Sequence, residues 1–499
     1  MKKNLEKLIE YLFYLFVFLL PWQTTLILRE PKLNNQVWEY GKINLYAVDL
    51  LLVLIFILWL VLAFLNRQLP KGKLNKKRLP LFLLSVLFIL WTASSSFWAA
   101  DKLLALYWTV KIAEAIALFW LVLNLNLNFN YLALSFILGG VIQALLASWQ
   151  FITQQTFSFK WLGLGYHDMS QAGTSVVQTD ERRWLRAYGG LPHPNILGGF
   201  LMAAAVLAIG YYLSLYKKLE KIFEDNQEKI FKKIGGRILI GLIFYVIILI
   251  GLIFSFSRNG WLGLALTGFL FLLYFLKQKD KTNLFCLLKL ALISALIFAS
   301  LFSIYQEPFL SRFQGKQKLE QQSLAERATY QKQSQNLREK HFWAGVGMSN
   351  YTLAVYQEVN KNFPARFYQP VHNVYLLIWS ELGIVGLIIF LFLILYSIFF
   401  ILTDQNRHCE PRPFRVKGGA WQSRSLSQFL RHCFVAITPR NDKGRTPYNL
   451  GLNFSTLPYL SILIAFLAMM FFDHWLWSNH FGVLLFWLIL ALVLKNAEE

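Results

Sequence analysis

Apolar residues in this chain run in long blocks separated by short polar stretches, with little of the alternation that marks half-buried strands. Twelve blocks approach the ~20 residues that a helix needs to cross a bilayer core. They fall near 8–28, 47–65, 79–97, 103–123, 131–152, 194–216, 237–256, 259–277, 284–305, 373–402, 455–472 and 479–495. The tenth also reads as a short outer helix followed by a span. The pattern predicts an all-α polytopic membrane protein, one domain over 1–499 with about twelve transmembrane helices. Two polar segments, 153–193 and 306–371, are far longer than simple turns, and such loops are usually functional.

Lysine and arginine set the expected direction of crossing. Met1-Lys2-Lys3, NRQLPKGKLNKKR at 66–78, the Lys-rich 217–237, KQKDKTN at 277–283 and the basic 403–452 share one side if the spans alternate. Basic loops stay in the cytoplasm, so both termini are expected there and both long loops on the outer side of the inner membrane. Pro21-Trp22-Gln23-Thr24 after the first block offers no small-residue cleavage site, so that block reads as a retained span. The stretch 405–449 departs from this texture, with nine Lys/Arg, two acids and no helical period. It resembles translated interspersed palindromic repeats and reads as a tolerated cytoplasmic insertion, the alternative being a docking arm for lipid or a partner.

Composition agrees. Of 499 residues, 56% are hydrophobic and 15% charged, against about a quarter charged in soluble domains. So apolar a chain is neither an ordinary cytosolic enzyme nor disordered. The net charge of +22 resides in loops that face anionic lipid, which removes the main argument for nucleic-acid binding. The three cysteines, Cys286, Cys409 and Cys433, form no disulfide framework, and no Cys/His group has the spacing of a zinc site.

Cations on the outer side run against the charge bias and need another reason. The first outer loop reads Arg182-Arg183-Trp184-Leu185-Arg186 and continues to His193-Pro194-Asn195. Pro194 suits a first helical position, which places His193 and Asn195 at a helix mouth whose unpaired amides favour an anion such as phosphate. Arg186 adds a planar fork for the same anion. A tight outer turn, Ser257-Arg258-Asn259-Gly260, carries a second arginine, and Arg327 precedes the Gly345-Val346-Gly347 turn. His372-Asn373 opens the tenth span, followed by Glu381-Leu382-Gly383-Ile384-Val385-Gly386, whose spaced small residues allow close helix packing. Taken singly, each piece has a plain reading: an interfacial anchor, a solvated helix face or a helix cap. Lys111 and Glu114 share one face of the fourth span and read either as a buried packing pair or as part of an ion path.

In order and context these pieces resemble the O-antigen ligase and polymerase superfamily. The matching elements are R-x-x-G-x-x-x-HPN-x-LGG (Arg186 to Gly199), S-R-N-G (Ser257 to Gly260), GVGMSN (Gly345 to Asn350) and HN…ELGIVG (His372 to Gly386), together 186–390. The resemblance implies a GT-C-like glycosyltransferase that takes a glycan from an undecaprenyl-diphosphate carrier. The glycan passes to a hydroxyl of a saccharide or lipid A-core-like acceptor, with inversion and without a metal or other cofactor. It implies Arg186, Arg258 and His372 as catalytic, the arginines on the diphosphate and His372 at the acceptor, taking its proton or bonding the phosphate. Arg327, His193, Asn195, Asn373 and Glu381 are then expected to bind substrate, with helix packing the alternative role for Glu381. The motifs do not separate a ligase from a polymerase or a protein O-glycosyltransferase. A transporter is the alternative from another class, although the internal repeats it implies are missing.

Overall fold

The computed structural model describes residues 2–66, 78–224, 228–405 and 454–498. The basic insertion expected at 405–449 lies outside the described residues from 406 onward, as does most of the loop 66–78. The first nine helices are α1 (Lys2–Leu19), α2 (Ala47–Leu65), α3 (Leu79–Ser94), α4 (Lys102–Asn124), α5 (Phe129–Thr153), α6 (Pro194–Glu224), α7 (Glu228–Phe254), α8 (Arg258–Gln278) and α9 (Lys281–Ile304). The second long loop holds α10 (Gln306–Gln314), α11 (Lys318–Lys340) and the short α12 (Tyr351–Ala354), before α13 (Val374–Gln405) re-enters the bundle. The chain closes with α14 (Leu457–Met469), α15 (Trp475–Ser478) and α16 (His480–Glu498).

Among the described residues, ten helices are long and apolar enough to cross a membrane, two fewer than expected. The first half of α1 carries Lys2, Lys3, Glu6, Lys7 and Glu10, which break its apolar run. The 13 residues of α14 reach only about 20 Å at 1.5 Å each, short of a core about 30 Å thick. The polar segments between helices also contain three small antiparallel ribbons that the apolar pattern does not announce. They pair β1 (Thr25–Arg29) with β4 (Ile43–Tyr46), β2 (Lys32–Leu33) with β3 (Gln36–Val37), and β5 (Val176–Gln178) with β6 (Arg183–Leu185).

Side-chain caps begin several helices. Asp101, Asn128, Ser257 and Asp280 accept backbone N–H groups from the first turns of α4, α5, α8 and α9. Helices α6 and α16 are apolar on all sides and form the buried centre, whereas α9 leaves most of its surface to the bilayer. The ends of alternate helices meet at one loop-rich face. There Trp38 Nε1 donates to Thr352 Oγ1 (3.0 Å), Thr24 Oγ1 to the Trp161 carbonyl (2.8 Å), and Arg29 pairs with Asp101 (2.6 Å). At the opposite face Lys495 donates to the Leu125 carbonyl and Lys217 approaches Asp280 at 3.5 Å.

The tenth expected span is broken into a short helix followed by a longer one. Helix α13 breaks at Gly383, whose φ of 69° and ψ of 179° lie in a region nearly closed to other residues. The break lets the 345–350 turn dock by backbone: Val346 N–H donates to the Ser380 carbonyl (3.0 Å) and Gly347 N–H to that of Glu381 (2.8 Å). In return Ile384 N–H donates to the Phe342 carbonyl (2.9 Å). The two motifs GVGMSN and ELGIVG are thus the two halves of one joint. A Cβ on Gly383 would stand 2.0 Å from the Trp343 carbonyl oxygen, whereas one on Gly268 in α8 would meet nothing within 4 Å. Gly383→Ala should lower the unfolding temperature in detergent, from a loss of about 2 kcal/mol or more, while Gly268→Ala should be neutral or stabilising. Equal unfolding temperatures for the two variants would contradict the joint.

Candidate active site

Four arginines meet at the loop-rich face, and local backbone features bring each one there. Arg186 follows β6 and is buried; its Nε donates to the Ser255 carbonyl (2.9 Å) and its Nη2 to Asn195 Oδ1 (2.7 Å). Ser257 caps α8, so Arg258 becomes its first residue. The mouth of α6 can press against that cap because Gly198 has no side chain: a Cβ there would lie 2.3 Å from Ser257 Cβ. Arg258 Nη2 donates to Glu320 Oε1, and Arg312 Nη1, from the last turn of α10, donates to Glu320 Oε2 (2.5 Å). Arg327 lies two turns beyond Glu320 on α11 and adds its charge to the same group.

The mutual influence of these groups is large. Burial holds the Arg186 guanidinium well below its ordinary value, and the charges of Arg312 and Arg258 push the same way. Arg312 is pushed down to about 10 by burial, with Arg258 and Arg327 adding and Glu320 opposing. Burial alone would raise the Glu320 carboxyl, but Arg312, Arg258 and Arg327 overturn that and hold it below the carboxylate norm. One carboxylate is thus shared by guanidiniums that outnumber it. Arg312 Nε and Arg327 Nε are buried without a hydrogen-bond partner among the described residues. Buried unpaired cationic donors are costly, and an anionic ligand is what relieves them.

A polar chain leads from Arg186 to the histidines. Asn195 Nδ2 donates to Asp473 Oδ2 (2.8 Å), and Asp473 Oδ1 accepts the His474 N–H (2.8 Å). Asn195 N–H donates to His193 Nδ1 (3.1 Å), which leaves the proton of a neutral ring on Nε2, facing Ser175 Oγ at 2.9 Å. His372 stacks on Tyr330 (5.9 Å between centroids, 7° between planes) and meets His474 edge-on at 4.9 Å. Its Nδ1 is buried without a partner among the described residues. Burial lowers His372 below 6.5, with Asp473 opposing and Arg327 adding. Burial and Arg186 take His193 down to about 3, and burial and His372 do the same to His474. The Asp473 carboxyl is buried and faces His474, His372 and His193.

Of the residues singled out from the sequence, Arg186, His193 and Asn195 lie in one hydrogen-bonded chain, Arg258 and Arg327 act on Glu320, and His372 stands beside Asp473 and Arg327. Asn373 caps α13, accepting from Leu376 N–H (3.0 Å). Glu381 stands apart: its carboxylate accepts from Trp477 Nε1 (2.8 Å) and from the backbone of Ser349 and Tyr351, so it secures the joint at Gly383. Sequence reasoning missed Arg312, Glu320, Asp473 and His474. Ionisable residues at a membrane edge were the available signal, and FFDHWLWSNH carries it as plainly as SRNG does.

Lys111 and Glu114 prove to be half of a second buried group, in which α4 meets the first turns of α2 and α16. Lys111 Nζ reaches Asp49 and Glu114 Oε2 (3.2 Å), and His480 Nε2 lies 2.9 Å from Asp49 Oδ1 beneath the stacked ring of Tyr46. Asp49, Glu114 and His480 offer ligand atoms within 4.8 Å of one another, but the Lys111 ammonium already supplies the cation there. The group ties α2, α4 and α16 together.

The depressed histidines make stability depend on pH. Below about pH 6.5 an unfolded chain takes up protons that buried His193 and His474 refuse until about pH 3, so stability is whole above that window and falls as pH drops through it. His372 adds in the same sense. Each proton is worth about 1.4 kcal/mol per pH unit. The unfolding temperature in detergent should therefore fall from pH 7 to pH 5 and fall less steeply in His193→Gln/His474→Gln. Parallel profiles would show that these histidines are not held neutral.

Residues 243–391 match the family model described as O-Antigen ligase. The matched stretch includes Arg258, Arg312, Glu320, Arg327, His372 and both halves of the Gly383 joint, while Arg186, His193 and Asp473 lie outside it. No curated protein matches the chain. Over residues 243–391, then, this membrane-helical chain is similar to the O-antigen ligase family.

Proposed function

We propose that the protein is a glycosyltransferase that moves a glycan from undecaprenyl diphosphate to a hydroxyl of a saccharide or lipid A-core-like acceptor. The reaction takes place at the loop-rich face, on the periplasmic side of the inner membrane. One observation carries the reading: Arg258, Arg312 and Arg327 are gathered on one carboxylate with Arg186 nearby, and two buried Nε–H groups have no partner among the described residues. A diphosphate anchored by its prenyl chain in the adjacent bilayer supplies the missing negative charge where a membrane enzyme meets it. The Lys-rich segments at the opposite face favour a cytoplasmic placement for that face.

In this reading the acceptor oxygen attacks the anomeric carbon while the bond from that carbon to the phosphate oxygen breaks. Undecaprenyl diphosphate departs with the electron pair, and the anomeric configuration inverts. Charge grows on the leaving oxygen, so guanidiniums already fixed around it favour the transition state over the bound donor. His372, lowered by burial, has one ring nitrogen without a partner among the described residues, as a base receiving the acceptor proton requires. Asp473 then faces the imidazolium that forms. Asn195 holds Arg186 and Asp473 in register.

In vesicles supplied with a lipid-diphosphate glycan and saccharide acceptors, Arg258→Lys should transfer at least ~10-fold more slowly, since an ammonium lacks the guanidinium fork. His372→Ala should lose transfer while still retaining the donor. Full activity in Arg258→Lys would refute the phosphate role of that residue. Full activity in His372→Ala would remove it from the proton path.

A further inference from the structure

The face opposite the arginine cluster holds a cavity of about 650 Å³ between α5, α6 and α7. Its three walls share one gradient. On α5 the mouth carries Asn130, with Leu134 and Leu138 one and two turns inward. On α6 Lys218 stands at the mouth, and on α7 Arg237 does, with Ile240 and Phe244 successively deeper. Both cations are exposed at the membrane boundary, and neither has an ion-pair partner among the described residues. The pocket is thus basic and polar where the helices leave the bilayer and apolar along the acyl-chain direction.

We infer that this pocket is a binding site for an anionic glycerophospholipid, with the headgroup phosphate between Lys218 and Arg237 and the acyl chains along Leu134, Leu138 and Phe244. Basic pockets between transmembrane helices at this depth suit anionic headgroups. The volume falls in the range of small-molecule sites, about 300–1,000 Å³, which suits a headgroup and the start of its chains. A soluble phosphate would leave the apolar depth unfilled. A zwitterionic lipid would bring to the two cations an ammonium that they repel.

Native mass spectrometry of the full chain, released from micelles of phosphatidylcholine and phosphatidylglycerol, tests the assignment. The protein should retain phosphatidylglycerol in preference, and Lys218→Ala/Arg237→Ala should lower that preference by on the order of tenfold or more. Lys218→Arg/Arg237→Lys should keep it. Leu138→Trp, which fills the apolar depth and leaves both cations, should also lose the lipid, and inorganic phosphate should not displace it. Equal retention of both lipids, or an unchanged preference in the double alanine variant, would overturn the site. Retention in Leu138→Trp together with displacement by phosphate would identify a simple anion site instead. Unchanged unfolding temperatures confirm that the variants are folded.

Discussion

The constraint on which the rest depends is the repulsion among guanidiniums held together at a membrane edge. Arg186 is buried and the Arg312 side chain nearly so, beside the half-exposed Arg258 and Arg327, and Glu320 offsets only part of the charge that Arg258, Arg312 and Arg327 bring. An assembly of this kind persists only on a frame stiff enough to resist its own repulsion. It also leaves a standing demand for an anion, which turns an electrostatic cost into selectivity for a diphosphate.

That frame is drawn from distant parts of the chain. The β5–β6 ribbon delivers Arg186, the α8 cap delivers Arg258, and α10 and α11 deliver Arg312, Glu320 and Arg327. The break at Gly383 fastens the far end of the second long loop to α13, and Glu381 locks it with Trp477. His372 sits at the mouth of the same helix, so one joint sets the position of both the loop that carries the arginines and the histidine that faces them. The buried group of Lys111, Asp49, Glu114 and His480 gives the neighbouring helices a second fixed point.

Much of this could be read from residue order. Span positions follow from the lengths of apolar blocks, because a bilayer admits little else, and the arginines of the loop-rich face stand out because they lie apart from the Lys-rich loops. What could not be read is tertiary. Glu320 looks like any acid on a polar helix until α10 turns back and brings Arg312 onto it. Asp49 and His480 lie 431 positions apart and declare themselves as partners of Lys111 only once α2, α4 and α16 pack. Glu381 reads as either a ligand or a packing residue, and the helix break that turns it toward a backbone turn is invisible in an apolar run. The ribbons in the loops, two to five residues per strand, are too short for a periodic signal.

Calorimetric titration of the purified protein with inorganic pyrophosphate addresses the guanidinium cluster without requiring the acceptor or the glycan. The account predicts saturable binding that weakens by roughly tenfold or more in Arg312→Gln/Arg327→Gln and strengthens in Glu320→Gln, where the competing carboxylate is removed. Undetectable binding, or equal affinity in all three proteins, would contradict it.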